Sequence, residues 1–329
     1  MHSIRLIMSF AVSISLYSLA HAKDLPGKGI QVQGIQSTIL EESFQTIIID
    51  EALKKLGYET QPIKMFKYRK GYEAIANGQA TYSTTSWYPL QNGMYQDAGG
   101  NKVFLRKGHY IRGAAQGYLV DKKTADKFNI VSIDDLNDPT IAVLFDVTGD
   151  GKADMVGCQK SWSCAEVIDH QLKAYKLEDN INQIKGLYAE EIPAIIERFK
   201  QGKPVIYYAW TPYWVSGLLA PTKDVIWLEV PFSAHPHKID TTLANGKNYG
   251  FRINSERIIS TKKFAKANPA AAKLFEIAEL PINDVSAENR LIADGENSPG
   301  AIRQHALDWI KTNQKRFNSW IEVALKSGK

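Results

Sequence analysis

The sequence predicts an α/β protein folded as two lobes with a hinge and a cleft between them, on three observations. Short apolar runs alternate with helical patterns along most of the chain, which argues for layers of strands and helices. The 329 residues, 44% hydrophobic and 23% charged, are enough for two cores of ordinary domain size. The order reads α/β, α/β again, then a return dominated by helices. A chain that leaves one lobe, builds a second and comes back crosses twice, and a cleft between hinged lobes is a common place for small-molecule sites.

The elements follow in order. Gly29 to Ile35 reads as a strand. Glu41 to Leu56 then sets Phe44, Ile47, Ile48, Ala52, Leu53 and Leu56 on one helical face, stopped by Gly57. A strand near Pro62 to Phe66 and a helix from Lys70 to Ala76 precede the strand Ala80 to Thr85, which runs into Ser86-Trp87-Tyr88-Pro89. Gln116 to Val120 opens a middle region with Ser132 and Asp135 at capping-box spacing. Helices are expected at Ala165 to Tyr175 and Glu190 to Lys200, and strands at Val205 to Tyr208 and Val225 to Val230. The return shows one more strand, Gly250 to Asn254. An Asn268 N-cap followed by Pro269 and one long terminal helix from Ala301 to Ala324 come after it. The expected organisation is a leader at 1–22, a discontinuous first lobe at 23–115 and 246–329, and a second lobe at 116–245.

Arg5, the apolar run Leu6 to Leu19 and Ala20-His21-Ala22 form the layout of a secretory signal peptide, with Lys23 as the mature start. The run is shorter than the roughly 20 residues that a spanning helix needs. No cysteine follows the cleavage site, so no lipid anchor is expected. The formal charge of +5 is dispersed among acids rather than clustered, which argues against nucleic acid as a partner. Cys158 and Cys164 are the two cysteines. In an oxidising compartment they read most simply as one local disulfide, with two free buried thiols as the other reading.

The tryptophans are placed unusually. Trp87 ends a strand beside a proline, Trp210 follows a strand and precedes a proline, and Trp162 lies inside the span closed by the two cysteines. Core tryptophans sit more often within periodic elements; three at strand-to-loop junctions are placed to line a cleft.

At these residues the chain resembles the ProX family, the periplasmic glycine betaine/proline betaine-binding proteins of ProU-type ABC importers, across nearly its whole mature length. The matching runs are Asp24-Leu25-Pro26-Gly27-Lys28-Gly29, Gln36-Ser37-Thr38, Gly113-Ala114-Ala115-Gln116-Gly117-Tyr118-Leu119 and Asp121-Lys122-Lys123-Thr124-Ala125-Asp126. Gly149-Asp150-Gly151-Lys152-Ala153-Asp154, Trp210-Thr211-Pro212-Tyr213-Trp214-Val215 and Asn268-Pro269-Ala270-Ala271-Ala272-Lys273-Leu274-Phe275 continue them.

The resemblance implies a type II periplasmic binding protein fold, a periplasmic location, no enzymatic activity and no cofactor. It implies a small quaternary ammonium ligand and docking of a monomer on an ABC permease served by a cytoplasmic ATPase. The family's ligand box is three tryptophans, whose positions are Trp87, Trp162 and Trp210 here. A trimethylammonium group donates no hydrogen bond, so aromatic faces attract it through the ring quadrupole, each contributing about 0.5–2 kcal/mol. The family's backbone contacts to the ligand carboxylate fall on Ser163 and Cys164, where a helix N-terminus suits an anion. A Cys158–Cys164 disulfide would hold that loop in shape. The chain departs from the family at Gln91, where a histidine is expected to touch the carboxylate, and at Tyr88, which replaces a smaller residue. Gln91 can donate a neutral hydrogen bond but acquires no charge, so choline, carnitine or another quaternary amine is the alternative ligand.

Asp146, Thr148, Asp150 and Asp154, with Gly151 at the sixth position, resemble a calcium loop, but position twelve is Gly157 rather than glutamate. A tight Asp/Gly turn is the competing reading. His235-Pro236-His237 reads as a solvent loop. No G-x-S-x-G, P-loop, G-x-G-x-x-G or H-E-x-x-H occurs.

Overall fold

The computed structural model describes residues 25–328. The leader reading and Lys23 therefore lie outside the described residues. Eleven strands among them form two sheets. The first holds β1 (Gln31–Gln36), β2 (Glu59–Met65), β3 (Tyr82–Tyr88), β4 (Phe104–Leu105), β5 (Ile111–Ala114) and, much later, β11 (Asn254–Thr261). The second holds β6 (Gln116–Asp121), β7 (Ala153–Val156), β8 (Ile181–Ile184), β9 (Ile206–Trp210) and β10 (Val225–Trp227). Their orders are β2-β1-β3-β11-β4, with β5 on β11, and β10-β6-β9-β7-β8. β1 runs parallel to β2 and β3, whereas β11 is antiparallel to β3.

Each sheet is the centre of one lobe. In the first, the Glu42–Lys55 helix buries Phe44, Ile47, Ile48, Ala52 and Leu53 against the C-terminal helices, where Trp309, Phe317 and Trp320 complete the core. Gly57, at φ +91°, ends that helix. Gly57 N donates to Lys54 O at 2.9 Å and Tyr58 N to Leu53 O at 3.0 Å, a Schellman closure that favours glycine. Truncating the fully buried Ile48 to alanine would cost about 2–5 kcal/mol.

Several expectations are corrected. The terminal helix is two helices, Pro299–Thr312 and Gln314–Ser327, because Asn313 interrupts the ladder. Its Nδ2 donates to Trp309 O at 3.1 Å, the local competition by which asparagine ends helices. Trp309 and Trp320 stack across the break at 6.1 Å, so the apolar pattern continues while the axis turns. The expected strand Gly250 to Asn254 is instead the lead-in to β11, since Gly250 sits at φ +80° and the strand starts at Asn254. The polar run Asn254-Ser255-Glu256-Arg257, of which the sequence predicts only Asn254 in a strand, begins an interior strand between β3 and β4. Asn268 holds the N-cap position without capping, its Nδ2 donating back to Phe264 O at 3.1 Å. The Ser132/Asp135 capping box is present, on a 3-10 turn at Ile133–Asn137. β4, β5, β7 and β8 were too short to stand out by periodicity.

Candidate functional site

β3 and β9, one from each lobe, carry tryptophans at their ends. Trp87 is the last residue but one of β3 and Trp210 the last of β9, so both belong to strands rather than to the loops beyond. Each is followed by one residue and then a cis proline bond, Tyr88-Pro89 and Thr211-Pro212. Trp162 occupies the N-cap position of the Ser163–Ala174 helix. Cys158 and Cys164 are joined as a disulfide, closing the loop that presents it.

All six residues expected at the site line one cavity of about 390 Å³ of empty space, part of it open to solvent. The first lobe contributes Ile39, Tyr68, Trp87, Leu90 and Gln91; the second contributes Gln116, Trp162, Ser163, Cys164, Tyr208 and Trp210. Trp162 and Trp210 meet edge to face at 5.3 Å and 88°. Tyr213 stacks on Trp210 at 4.3 Å, and Tyr188 lies 4.9 Å from the same indole. These contacts fix the Trp210 plane, so its ring face is set before any ligand arrives.

One end of the cavity is polar. The Ser163–Ala174 helix has no side-chain cap, and the N–H groups of Ser163 and Cys164 have no acceptor among the described residues. Gln91 is 2% exposed, and its Oε1 accepts from Trp87 N at 3.1 Å and Tyr72 OH at 3.0 Å. Two donors on the oxygen orient the amide, leaving Nε2 without an acceptor among the described residues.

Tyr68, Ile39, Leu90, Gln116 and Tyr208 also line the cavity and are not among the residues expected there from the sequence. Tyr68 could not be singled out there, being one of 15 tyrosines with no motif around it. Its hydroxyl donates to Glu42 Oε1 at 2.5 Å, while Glu42 Oε2 accepts from Ser37 N at 2.7 Å. Burial pushes the Glu42 carboxyl up to about 7 against these hydrogen bonds. Behind Trp87 and Trp210 a smaller cavity is lined by Glu41, Glu42 and Glu256, the last also pushed up by burial. Trp87 Nε1 is buried without a partner.

The Asp/Gly loop turns its carboxylates on its own backbone. Asp146 accepts from Gly149 N at 2.6 Å and Gly151 N at 2.8 Å, and Asp154 accepts from Val147 N and Thr148 N. Asp150 accepts from Asn182 Nδ2 at 2.8 Å. This bonding supports the tight-turn reading, and no group of three or more metal-binding side chains occurs among the described residues. His235 and His237 lie at the cleft mouth, where burial and the neighbouring His237 pull His235 down to about 4.

A two-lobed α/β protein with its pocket between the lobes is the architecture of the substrate-binding proteins of ABC importers. Residues 32–312 match the family model described as the substrate binding domain of ABC-type glycine betaine transport systems, and the chain belongs to that family. It is 49% identical over 330 residues to the glycine betaine/proline betaine-binding periplasmic protein of Escherichia coli K12, covering 100% of this chain and 99% of the relative. Its fold is that of lactococcal OpuAC in a closed form with glycine betaine, at TM-score 0.67 and 20% identity over 89% of this chain and 99% of that one. It is also that of ProX from Borrelia burgdorferi, at TM-score 0.70 and 16% identity over 91% and 100% of the two chains.

Proposed function

We propose that this chain is a periplasmic binding protein that captures glycine betaine, and proline betaine with it, for an ABC importer. The observation that carries the reading is the convergence of Trp87, Trp162 and Trp210, from three separate segments and both lobes, on one cavity. Ring faces hold a permanent methylated cation that offers no hydrogen bond, and they hold it better once water is excluded. At the polar end, the N–H groups of Ser163 and Cys164 and the Nε2 of Gln91 are placed to receive the carboxylate. A helix N-terminus adds its dipole to that interaction. The first lobe comprises 23–115 and 246–329, the second 116–245, and a monomer docks on the permease and its ATPase. Choline, which has no carboxylate, would leave those donors unpaired, and this weighs against choline among the alternatives.

On this reading the chain is a carrier rather than an enzyme, which its membership of a family of substrate-binding domains supports. NMR of the ligand after prolonged incubation is expected to show no turnover. Betaine titration is the direct test. Trp87→Ala, Trp162→Ala and Trp210→Ala are each expected to weaken binding by about 0.5–2 kcal/mol or more. If betaine alters tryptophan fluorescence identically in the parent and all three variants, the cage is wrong. A panel with choline and carnitine decides the ligand class.

A further inference from the structure

A second cavity lies beside the strand that carries Trp87, and the betaine reading makes no use of it. Side chains alternate along a strand, so Tyr88 points to the opposite face from Trp87. Two guanidinium groups sit over its ring, Arg257 at 4.3 Å and Arg106 at 4.7 Å from the centroid. Beside it opens a cavity of about 990 Å³ of empty space, part of it open to solvent, whose lining includes His109, Arg112, Arg252, Ser255 and Arg257.

The positive charge there has little to balance it. Arg112 pairs with Glu279 at 3.1 Å in an exposed contact. Arg257 Nε donates to Ser255 Oγ at 3.2 Å, and Arg106 Nη2 to Asn92 Oδ1 at 3.0 Å. Neither has a carboxylate partner among the described residues, and Arg106 Nη1 is buried without a hydrogen-bond partner, its guanidinium lying 3.6 Å from the Tyr95 ring centroid. Arg252 Nη1 donates to the Asp240 main-chain carbonyl at 3.2 Å, while the Asp240 carboxylate accepts from Thr242 N and Ser233 Oγ, both at 2.9 Å. Glu256 turns the other way, into the core, to accept from Gln45 Nε2 at 2.5 Å. Burial, then Arg106 and Arg112, pull Arg257 down, and burial followed by Arg257 does the same to His109.

Guanidinium groups that outnumber the carboxylates beside them repel one another, and a multivalent oxyanion offsets that repulsion while matching their fork geometry. We propose that this cavity is an oxyanion site, taking a small multivalent anion such as inorganic phosphate. Arg112 and Arg257 reach it from β5 and β11, whereas Arg252 and Ile239 come from the segment returning from the second lobe. A bound oxyanion therefore ties that segment to the first sheet. The site does not rest on the betaine reading and shares no residue with the cage.

Isothermal titration of the full chain with inorganic phosphate, in chloride at constant ionic strength, tests it. The parent is expected to show one saturable site, and Arg112→Ala/Arg252→Ala to weaken it by about tenfold or more. Both side chains are exposed, and an unchanged thermal midpoint in chloride would show that the variant is folded. Should it not fold, Arg252→Gln alone decides, with a clear loss of affinity expected. No saturable binding by the parent, or undiminished binding by the folded variant, overturns the proposal.

Discussion

Gln91 shows how much one side chain's bonding decides. With Oε1 held by Trp87 N and Tyr72 OH, only Nε2 is left for a ligand. Gln91→Ala is expected to weaken betaine binding by about 1 kcal/mol, the net worth of a hydrogen bond. Gln91→His should make affinity rise as pH falls below 7, a dependence that glutamine does not give, and titration across pH checks both. Glu42 supplies a different test. Its carboxyl is raised from 4.5 to about 7 in the folded protein by burial, so the folded state keeps a proton that the unfolded chain releases. The resulting stability is fully present below pH 4.5 and is lost as pH rises through 7, on the order of 3 kcal/mol. Asp50, raised from 3.8 to about 6, acts with the same sign. The thermal midpoint should be lower at pH 8 than at pH 5, and Glu42→Gln should flatten the slope. A midpoint that climbs with pH, unchanged in the variant, would refute the assignment.

At the scale of elements, the Cys158–Cys164 loop joins the compartment to the site. The bond closes a short span that ends at the first turn of the Ser163–Ala174 helix, whose first two residues line the cavity. Replacing both cysteines with serine should cost about 2 kcal/mol of stability, the loop entropy of so short a closure. It should weaken betaine binding as well, because the helix start must then be ordered by the ligand. Thermal unfolding and titration of the double variant measure the two effects separately. Undiminished affinity would show that the helix start needs no clamp.

At the scale of the molecule, the cavity walls come from both lobes, so the proposed function calls for the lobes to close on a ligand. Betaine is expected to lower the radius of gyration seen by small-angle scattering, and Trp210→Ala to abolish the change at the same betaine concentration. A radius that does not respond in the parent would argue against hinged closure.

Local chemistry was enough to read the first helix with its glycine stop, the strands that lead to Trp87 and Trp210 though not their last residues, and the cysteine pair. Each rests on short-range periodicity, turn residues or a run of matching residues, which neighbours along the chain decide. Only the tertiary structure decided that β11 runs inside the first sheet, that Asn313 breaks the last helix, that Tyr68 lines the tryptophan cavity and that Arg112, Arg252 and Arg257 line another. Those outcomes depend on partners far away in sequence: a polar strand is stable in a core only where Gln45 meets Glu256, and a tyrosine faces a cavity only where Glu42 takes its hydroxyl. Such long-range satisfaction of polar groups leaves no local pattern to read.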